Sequence, residues 1–244
     1  MLVKGEGVIA GLKVAKQVIE KVDPSLEVEL LKQDGDRVSY GDHVMRIQGT
    51  ARSILTAERT ALNFAQRLSG VATKTSHFVE LCEGNKARVL DTRKTTPGWR
   101  LLEKAAVVAG GGTNHRIGLY DRAMVKDNHL VAESDLTDLQ SAISTLKTEK
   151  PGVEVELEAD TLEQVRGFLT LTGVDYILLD NMSNEQLEQA VAMRGDSEVL
   201  LEASGGVSLE TIAGIASTGV DFISVGAVTH SAVALDISLE FFEI

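Results

Sequence analysis

Cysteine is almost absent from this sequence: among 244 residues only Cys82 carries a thiol. That excludes a disulfide framework, a multi-cysteine metal site and a paired-thiol redox centre, and it fits a reducing cytoplasm. Long apolar runs are lacking too. The opening MLVKGEGVIAGL is too short an apolar stretch for a secretory signal, and nothing later approaches the ~20 residues of a membrane span. No segment is low in complexity, and no short repeat of the solenoid kind recurs. Positive charge is scarce: 24 Lys and Arg stand against 36 Asp and Glu, a net charge of −12. A nucleic-acid binder carries a basic footprint over a whole face, so that class is excluded. What remains, at 43% apolar and 25% charged residues, is an ordinary soluble globular chain, one large domain or two small ones.

Against that acidic background one stretch stands out. Between Lys86 and Lys126 nine Lys and Arg face three acids, a local excess of six positive charges. A basic island in an acidic body points to a small anionic ligand.

The first part of the chain reads as β-rich. GVIAG, SLEVELL and HVMRIQGTA are short β-prone runs, and the Asp-Gly pair of QDGDRVSYGD is turn chemistry, so small antiparallel strands are expected. From Leu55 the period changes. Ala61, Phe64, Ala65, Leu68 and Ala72 share one helix face, Thr56 is placed to cap it with Glu58 in the first turn, and Arg59, Asn63 and Arg67 form the opposite, solvated or partner-facing stripe.

After Gly84, apolar runs alternate with amphipathic segments. The strand candidates are 87–91, 121–127, 153–159, 175–181, 198–204 and 221–227, and LEQVRGFLTL, NEQLEQAVAM and LETIAGIAS are helices between the later ones. Such βα alternation means a parallel sheet, either doubly wound or closed into a barrel. Nearly every strand ends in polar residues: Arg93 and Lys94, Lys126 and Asn128, Glu158, Asp180 and Asn181, Glu202 and Ser204, then Gly226. A barrel draws its site from many strand ends at once, whereas a doubly wound sheet gathers ligands at one switch point, and no G-x-G-x-x-G marks one here. The pattern favours a βα barrel.

The candidate residues have bland alternatives. Arg93 and Lys94 alone would be a solvated loop, but His115, Arg116 and Lys126 join them, and so many cations at one barrel edge repel one another without a dicarboxylate or phosphate. Gly110 to Gly112 reads as a flexible turn or as a place where a ligand comes close. Glu154, Glu156 and Glu158 share a strand face and need a compensating cation or metal. Glu158 and Asp180 suit Mg²⁺ or a cationic transition state, although Asp180 could equally cap the next helix. Ser204, Gly205, Gly206 and Gly226 suit a phosphate cradle. His129 and His230 read as structural and Trp99 as packing, while Arg100, Lys104 and Arg122 read as ordinary surface charge. An aldolase, an isomerase or a phosphoribosyltransferase would fit these residues.

In order, DTRKTTPGWR, GGGTNHR, MVKDNH, LLDN and EASGG resemble the quinolinate phosphoribosyltransferase family, and the likeness extends through ERTALNFAQRLSGVAT and VDFISVGAVTHS. The resemblance implies an α/β sandwich domain (1–84, rejoined by 232–244) followed by an incomplete βα barrel of about seven strands (85–231). It also implies a further N-terminal segment ahead of GVIAG, and this sequence starts almost at that strand. The implied reaction joins quinolinate to 5-phosphoribosyl-1-pyrophosphate (PRPP) with Mg²⁺, yielding nicotinate mononucleotide, pyrophosphate and CO₂ for NAD synthesis. By the same resemblance Arg93, His115, Arg116 and Lys126 hold quinolinate, and Arg59 is contributed across a homodimer. Lys94 lies near the pyrophosphate, Glu158 and Asp180 near ribose and metal, and Ser204, Gly205, Gly206 and Gly226 hold the 5′-phosphate. The alternatives are a paralogue acting on another pyridine acid and a non-catalytic sensor of PRPP or a pyridine acid. Neither nucleic acid nor membrane is an expected partner.

Overall fold

The structure is a computed structural model that describes residues 1–118, 120–125 and 136–242. The chain packs as two compact units: Met1–Val79, Lys94–Asn114 and Gly226–Ile244 form the first, and Glu80–Arg93 and His115–Val225 form the second. Residues 94–114 thus pack with the first unit although they lie inside the stretch read as barrel. Among the described residues no helix is long and apolar enough to cross a membrane.

In chain order the elements begin with β1 (Leu2–Val3), β2 (Gly7–Val8), α1 (Leu12–Val22), β3 (Glu27–Leu30), β4 (Arg37–Val38), β5 (Met45–Gln48) and α2 (Ala51–Glu80). Next come β6 (Arg88–Leu90), α3 (Arg100–Ala109), β7 (Arg122–Val125), α4 (Leu136–Glu149), β8 (Glu154–Ala159) and α5 (Leu162–Phe168). The chain continues with β9 (Tyr176–Asp180), α6 (Asn184–Arg194), β10 (Leu200–Ser204), α7 (Ile212–Ser217), β11 (Phe222–Ser224), α8 (Ala227–His230) and β12 (Ile237–Ser238).

In the first unit three antiparallel pairs, β1 with β12, β2 with β4 and β3 with β5, pack with α1 and α2. Leu12, Ala15 and Ile19 of α1 meet Ile54, Ala57, Ala61 and Ala65 of α2 in one core, and each fully buried Leu or Ile contributes about 1.5–3 kcal/mol. The antiparallel strands β2, β3 and β5 fall in the β-prone runs, and α1 lies between the first two of them, in a stretch to which the sequence pattern assigns no element. The helix starts from Gly11 at φ 81°, and its first amide is satisfied by Asp34 Oδ1 at 3.0 Å, a cap supplied from a distant turn. The long α2 starts at Ala51, so Thr56 is not its cap; the Thr56 hydroxyl donates to the Arg52 carbonyl one turn back. Ala61, Ala65, Leu68 and Ala72 are buried as their spacing predicts.

The second unit is a parallel sheet of six strands in the order β6-β11-β10-β9-β8-β7. From β8 onward each strand lies beside its predecessor in the chain, and the last, β11, pairs back onto the first, β6. The sheet therefore curls into a barrel whose ladder, among the described residues, is interrupted at one seam, between β6 and β7. All six strands fall inside the stretches expected from sequence. Helices α5 and α6 begin with capping boxes, Thr161 with Gln164 and Ser183 with Gln186, each satisfying two amides that would otherwise lack partners. Because Ser183 caps α6, Asp180 does not.

The triple glycine is a packing device. A Cβ on Gly110 would stand 2.3 Å from the Ala72 carbonyl oxygen, one on Gly112 would stand 2.8 Å from both Thr75 Cγ2 and Val107 Cγ1, and Gly111 has φ 87°. These glycines let the end of α3 lie against α2, so the close approach is made by a helix and not by a ligand.

Candidate active site

In the second unit the strand ends collect most of the expected residues. Arg93 lies exposed just beyond β6, Glu158 is buried near the end of β8, and Asp180 and Ser204 close β9 and β10, facing one another in register. Asn181, at φ 53°, donates its amide N–H to the Ser204 carbonyl and its side-chain N–H to Asp180 Oδ2 at 2.7 Å. Gly205 follows at φ 97°, where a Cβ would strike Asn181 Oδ1 at 2.1 Å, and Gly206 has φ 59°. Here the glycines are required by the backbone, and the turn keeps the Asp180 carboxylate and the 204–206 backbone together.

Arg116 is buried, with Nη1 donating to the Arg122 carbonyl at 3.1 Å and Nη2 directed at Met124 Sδ at 3.3 Å. Burial depresses its pKa, and the nearby positive charge of Arg93 depresses it further. A desolvated guanidinium that feels a second positive charge makes a seat for an anion that answers both.

Beneath this seat lies a polar cluster in the barrel interior. His115 donates its backbone N–H to the buried Asp91 at 2.8 Å, while its Nδ1 accepts the Arg116 N–H at 2.7 Å. Its Nε2 lies 3.3 Å from a carboxylate oxygen of Glu156 and 3.3 Å from one of Glu202, both fully buried. Ser224 Oγ donates to the other Glu202 oxygen. Burial alone would depress the His115 pKa, but the two carboxylates outweigh it and lift it to about 9. The Arg116 amide needs Nδ1 unprotonated, so the proton this cluster retains is shared between Nε2 and the carboxylates, with burial raising Glu156 toward its neutral form.

Arg122 is buried and not surface charge. Its guanidinium stacks 3.7 Å from the Tyr176 ring centroid, pairs with Glu154 at 2.9 Å, and stands 3.7 and 3.8 Å from Glu156 and Glu202. This is the cation that the acid-rich face of β8 requires. His115, Glu156 and Glu202 have the separations of a three-ligand metal site, but Arg122 already neutralises the same oxygens. Period-two spacing singles out Glu156 in the sequence, whereas the part of Asp91 and the inward turn of Arg122 have no local signal.

Three expected residues belong to the first unit. Lys94 is exposed, its carbonyl accepts the Thr229 hydroxyl at 2.7 Å, and a Cβ on Gly226 would crowd its Cδ at 3.1 Å. Arg59 sits on an exposed face of α2. Arg67, from the same stripe, turns inward and donates to buried Glu103 at 2.9 Å and to the Thr229 and Ala232 carbonyls. Lys104 is also buried, contrary to its surface reading, and Arg100 is half-buried with Nε donating to Thr95 at 3.2 Å. Trp99 stacks on Phe64 at 4.6 Å, as a packing residue should, whereas His230 is exposed and its ring pairs with Ser231. Lys126, Asn128 and His129 lie outside the described residues.

A parallel βα barrel with Arg93, Glu158, Asp180 and Ser204 at or just beyond its strand ends defines the class of βα-barrel proteins that gather a site at that edge. The comparisons narrow that class. Residues 1–69 match the N-terminal domain and residues 71–240 the C-terminal domain of quinolinate phosphoribosyl transferase, and the chain belongs to that family. A Nicotiana tabacum protein named quinolinate phosphoribosyltransferase (decarboxylating) 2b, mitochondrial, is 44% identical over 98% of this chain and 72% of its own length. The nicotinate-nucleotide pyrophosphorylase (carboxylating) of Mycobacterium leprae is 44% identical over 98% of this chain and 84% of its own. The crystal structure of NadC from Streptococcus pyogenes superimposes with a TM-score of 0.91 at 42% identity, covering 98% of this chain and 84% of that one.

Proposed function

We infer that the chain transfers a phosphoribosyl group from PRPP to quinolinate with decarboxylation, giving nicotinate mononucleotide, pyrophosphate and CO₂ in NAD synthesis. Family membership supports the reaction. The observation that supports the site is the buried Arg116 guanidinium, held by the Arg122 carbonyl and subject to the positive charge of Arg93. A planar diacid answers both guanidinium groups, and a monoacid answers one.

On this reading Arg93, Arg116 and Lys126 hold the quinolinate carboxylates, and His115 belongs to the same subsite. Breaking the bond between ribose and pyrophosphate leaves oxocarbenium character on the sugar, which the buried Glu158 carboxylate stabilises, while Lys94 takes up charge on the departing pyrophosphate. Glycosylation makes the pyridine nitrogen cationic. When the adjacent carboxyl leaves as CO₂, its electron pair stays on that ring carbon, where the neighbouring cationic nitrogen stabilises it until a proton from solvent replaces the carboxyl, and burial of the carboxyl favours its departure. Ser204, Gly205, Gly206 and Gly226 are assigned to the 5′-phosphate.

Glu158 and Asp180 fit Mg²⁺. They are hard oxygen donors at neighbouring strand ends, and among the described residues the three-ligand group is the His115 cluster and not this pair. A cation that keeps several waters needs no more protein ligands than these two. When bound, it would neutralise pyrophosphate charge.

Arg59 is assigned to the quinolinate of a second copy, in a homodimer, and its exposure on α2 supports that role. Mixing Arg59→Ala with Arg116→Ala chains should regain activity that neither variant has alone. The single cysteine favours a reducing compartment, and we assign the cytoplasm. The direct test incubates the protein with quinolinate, PRPP and Mg²⁺ and measures nicotinate mononucleotide and CO₂. Absence of product would overturn the reading, and equal turnover of nicotinate would overturn the diacid assignment.

A further inference from the structure

The surroundings of His115 bear on how the diacid subsite is built. An imidazole has two polar atoms, and both are engaged inside the protein: Nδ1 accepts the Arg116 N–H at 2.7 Å, and Nε2 faces Glu156 and Glu202 at 3.3 Å each. The ring is 7% exposed. Its neighbours arrive from five of the six strands. Asp91 follows β6 and fixes the His115 amide, Arg122 on β7 accepts from Arg116, Glu156 lies on β8, Glu202 on β10, and Ser224 on β11 holds Glu202. His115 also lies in the chain segment joining β6 to β7, the neighbouring pair that no ladder connects among the described residues. Arg116, one residue on, places its guanidinium on the Arg122 carbonyl and the Met124 sulfur, and the positive charge of Arg93 depresses its pKa.

We propose that His115 is a positioning residue: clamped by Glu156 and Glu202, it fixes the backbone of Arg116 across the barrel seam and acts on the diacid only through that arginine. Glu156 and Glu202 thereby become specificity-determining groups that never meet substrate. A ring that bound quinolinate directly would have to turn a nitrogen away from the carboxylates or from the Arg116 amide, leaving buried polar groups unpaired. The proposal rests on the reading that Arg116 binds a quinolinate carboxylate.

A double-mutant cycle tests it, with quinolinate affinity measured by calorimetry and the KM for each substrate alongside. Arg116→Ala should weaken quinolinate about 10- to 100-fold, the loss of a charged hydrogen bond. His115→Leu should weaken it about tenfold with the PRPP KM unchanged, and the double variant should match Arg116→Ala within about twofold, because the histidine has nothing left to position. His115→Asn, whose Oδ1 can accept the Arg116 N–H, should recover most of the loss. Losses that multiply in the double variant would place His115 on the substrate and overturn the proposal, as would an Asn variant no better than Leu. If Arg116→Ala leaves quinolinate binding untouched, the assignment of Arg116 itself falls and takes the proposal with it. Should His115→Leu fail to fold, Glu202→Gln closes the same cycle with Arg116→Ala, and additivity there is equally fatal.

Discussion

Replacing Glu103 with alanine probes the support of the Lys94 loop. The Glu103 side chain is fully buried in the first unit, and its carboxylate accepts three hydrogen bonds: from Arg67 Nη2 at 2.9 Å, from the Thr96 hydroxyl at 2.8 Å and from the Thr96 N–H at 3.0 Å. Removing one partner of a buried ion pair costs about 3–5 kcal/mol when the other charge is stranded. Arg67 is not stranded. Its side chain is 28% exposed, and it still donates to the Thr229 carbonyl at 2.6 Å and the Ala232 carbonyl at 2.8 Å. Thr96 is exposed, so its freed N–H regains water. The expected cost therefore falls toward that of one charged hydrogen bond plus a small cavity, about 2–3 kcal/mol. Glu103→Gln keeps the shape and an acceptor for Thr96 and should cost about half as much.

Trp99 makes the measurement local. It is the only tryptophan, it stacks on Phe64, and its carbonyl accepts the Glu103 N–H at 2.9 Å. Urea unfolding followed by Trp99 fluorescence should report the first unit. A cost below about 1 kcal/mol for Glu103→Ala, or equal costs for Ala and Gln, would refute the assignment of the stabilisation to the charged contact. Thr229, whose carbonyl Arg67 holds, binds the Lys94 carbonyl through its hydroxyl. Both variants should therefore raise the KM for PRPP and leave quinolinate affinity alone.

Gly110→Ala should destabilise the first unit by about 1–3 kcal/mol or more, since the new methyl would meet the Ala72 carbonyl oxygen at 2.3 Å; thermal unfolding checks this. Glu158→Ala should abolish turnover while leaving the affinity for quinolinate nearly intact, measured by calorimetry, and a non-catalytic sensor would have no turnover to lose. Burial pushes the Asp221 carboxyl up, but the Leu201 amide, Lys86 and Arg194 outweigh burial and hold its pKa below the ordinary value. Its contribution is thus present above the unfolded pKa of about 3.9 and lost as pH falls through the lower folded value. Asp221→Asn should lower neutral-pH stability and flatten the acid limb of urea midpoints measured from pH 7 downward.

The second unit was legible because parallel strands buried on both faces announce themselves as apolar runs, and βα spacing orders them. Polar residues at the strand ends carried the barrel reading further, since Glu158, Asp180 and Ser204 stand where that pattern put them. The first unit was harder. Helix α1 holds β-branched Val14, Val18, Ile19 and Val22, which weaken a local helix signal, and its first amide is capped by Asp34, a long-range bond with no local trace. Gly110 to Gly112 look like a loop until α2 is laid beside them. Sequence marks where glycine is needed, and only packing says whether a helix or a ligand needs it.

Charge shows the same division between what is local and what is not. The excess of six between Lys86 and Lys126 reads as one anion patch, yet its members have separate employments. Lys86 pairs with Asp221, Arg122 answers Glu154 and stacks on Tyr176, and Lys104 is buried. Those cations answer interior or neighbouring groups and add little to the field at the strand ends. The positive charge of Arg93 depresses the pKa of the buried Arg116, and on the proposed reading a bound diacid would offset that repulsion. A protein of net charge −12 can bind a polyanion because short-range placement of two guanidinium groups outweighs a screened, distributed negative charge. The buried carboxylates serve this placement: Glu156 and Glu202 hold His115, and His115 holds Arg116. The acids that make the chain negative are, at this site, what keeps its positive charge in position.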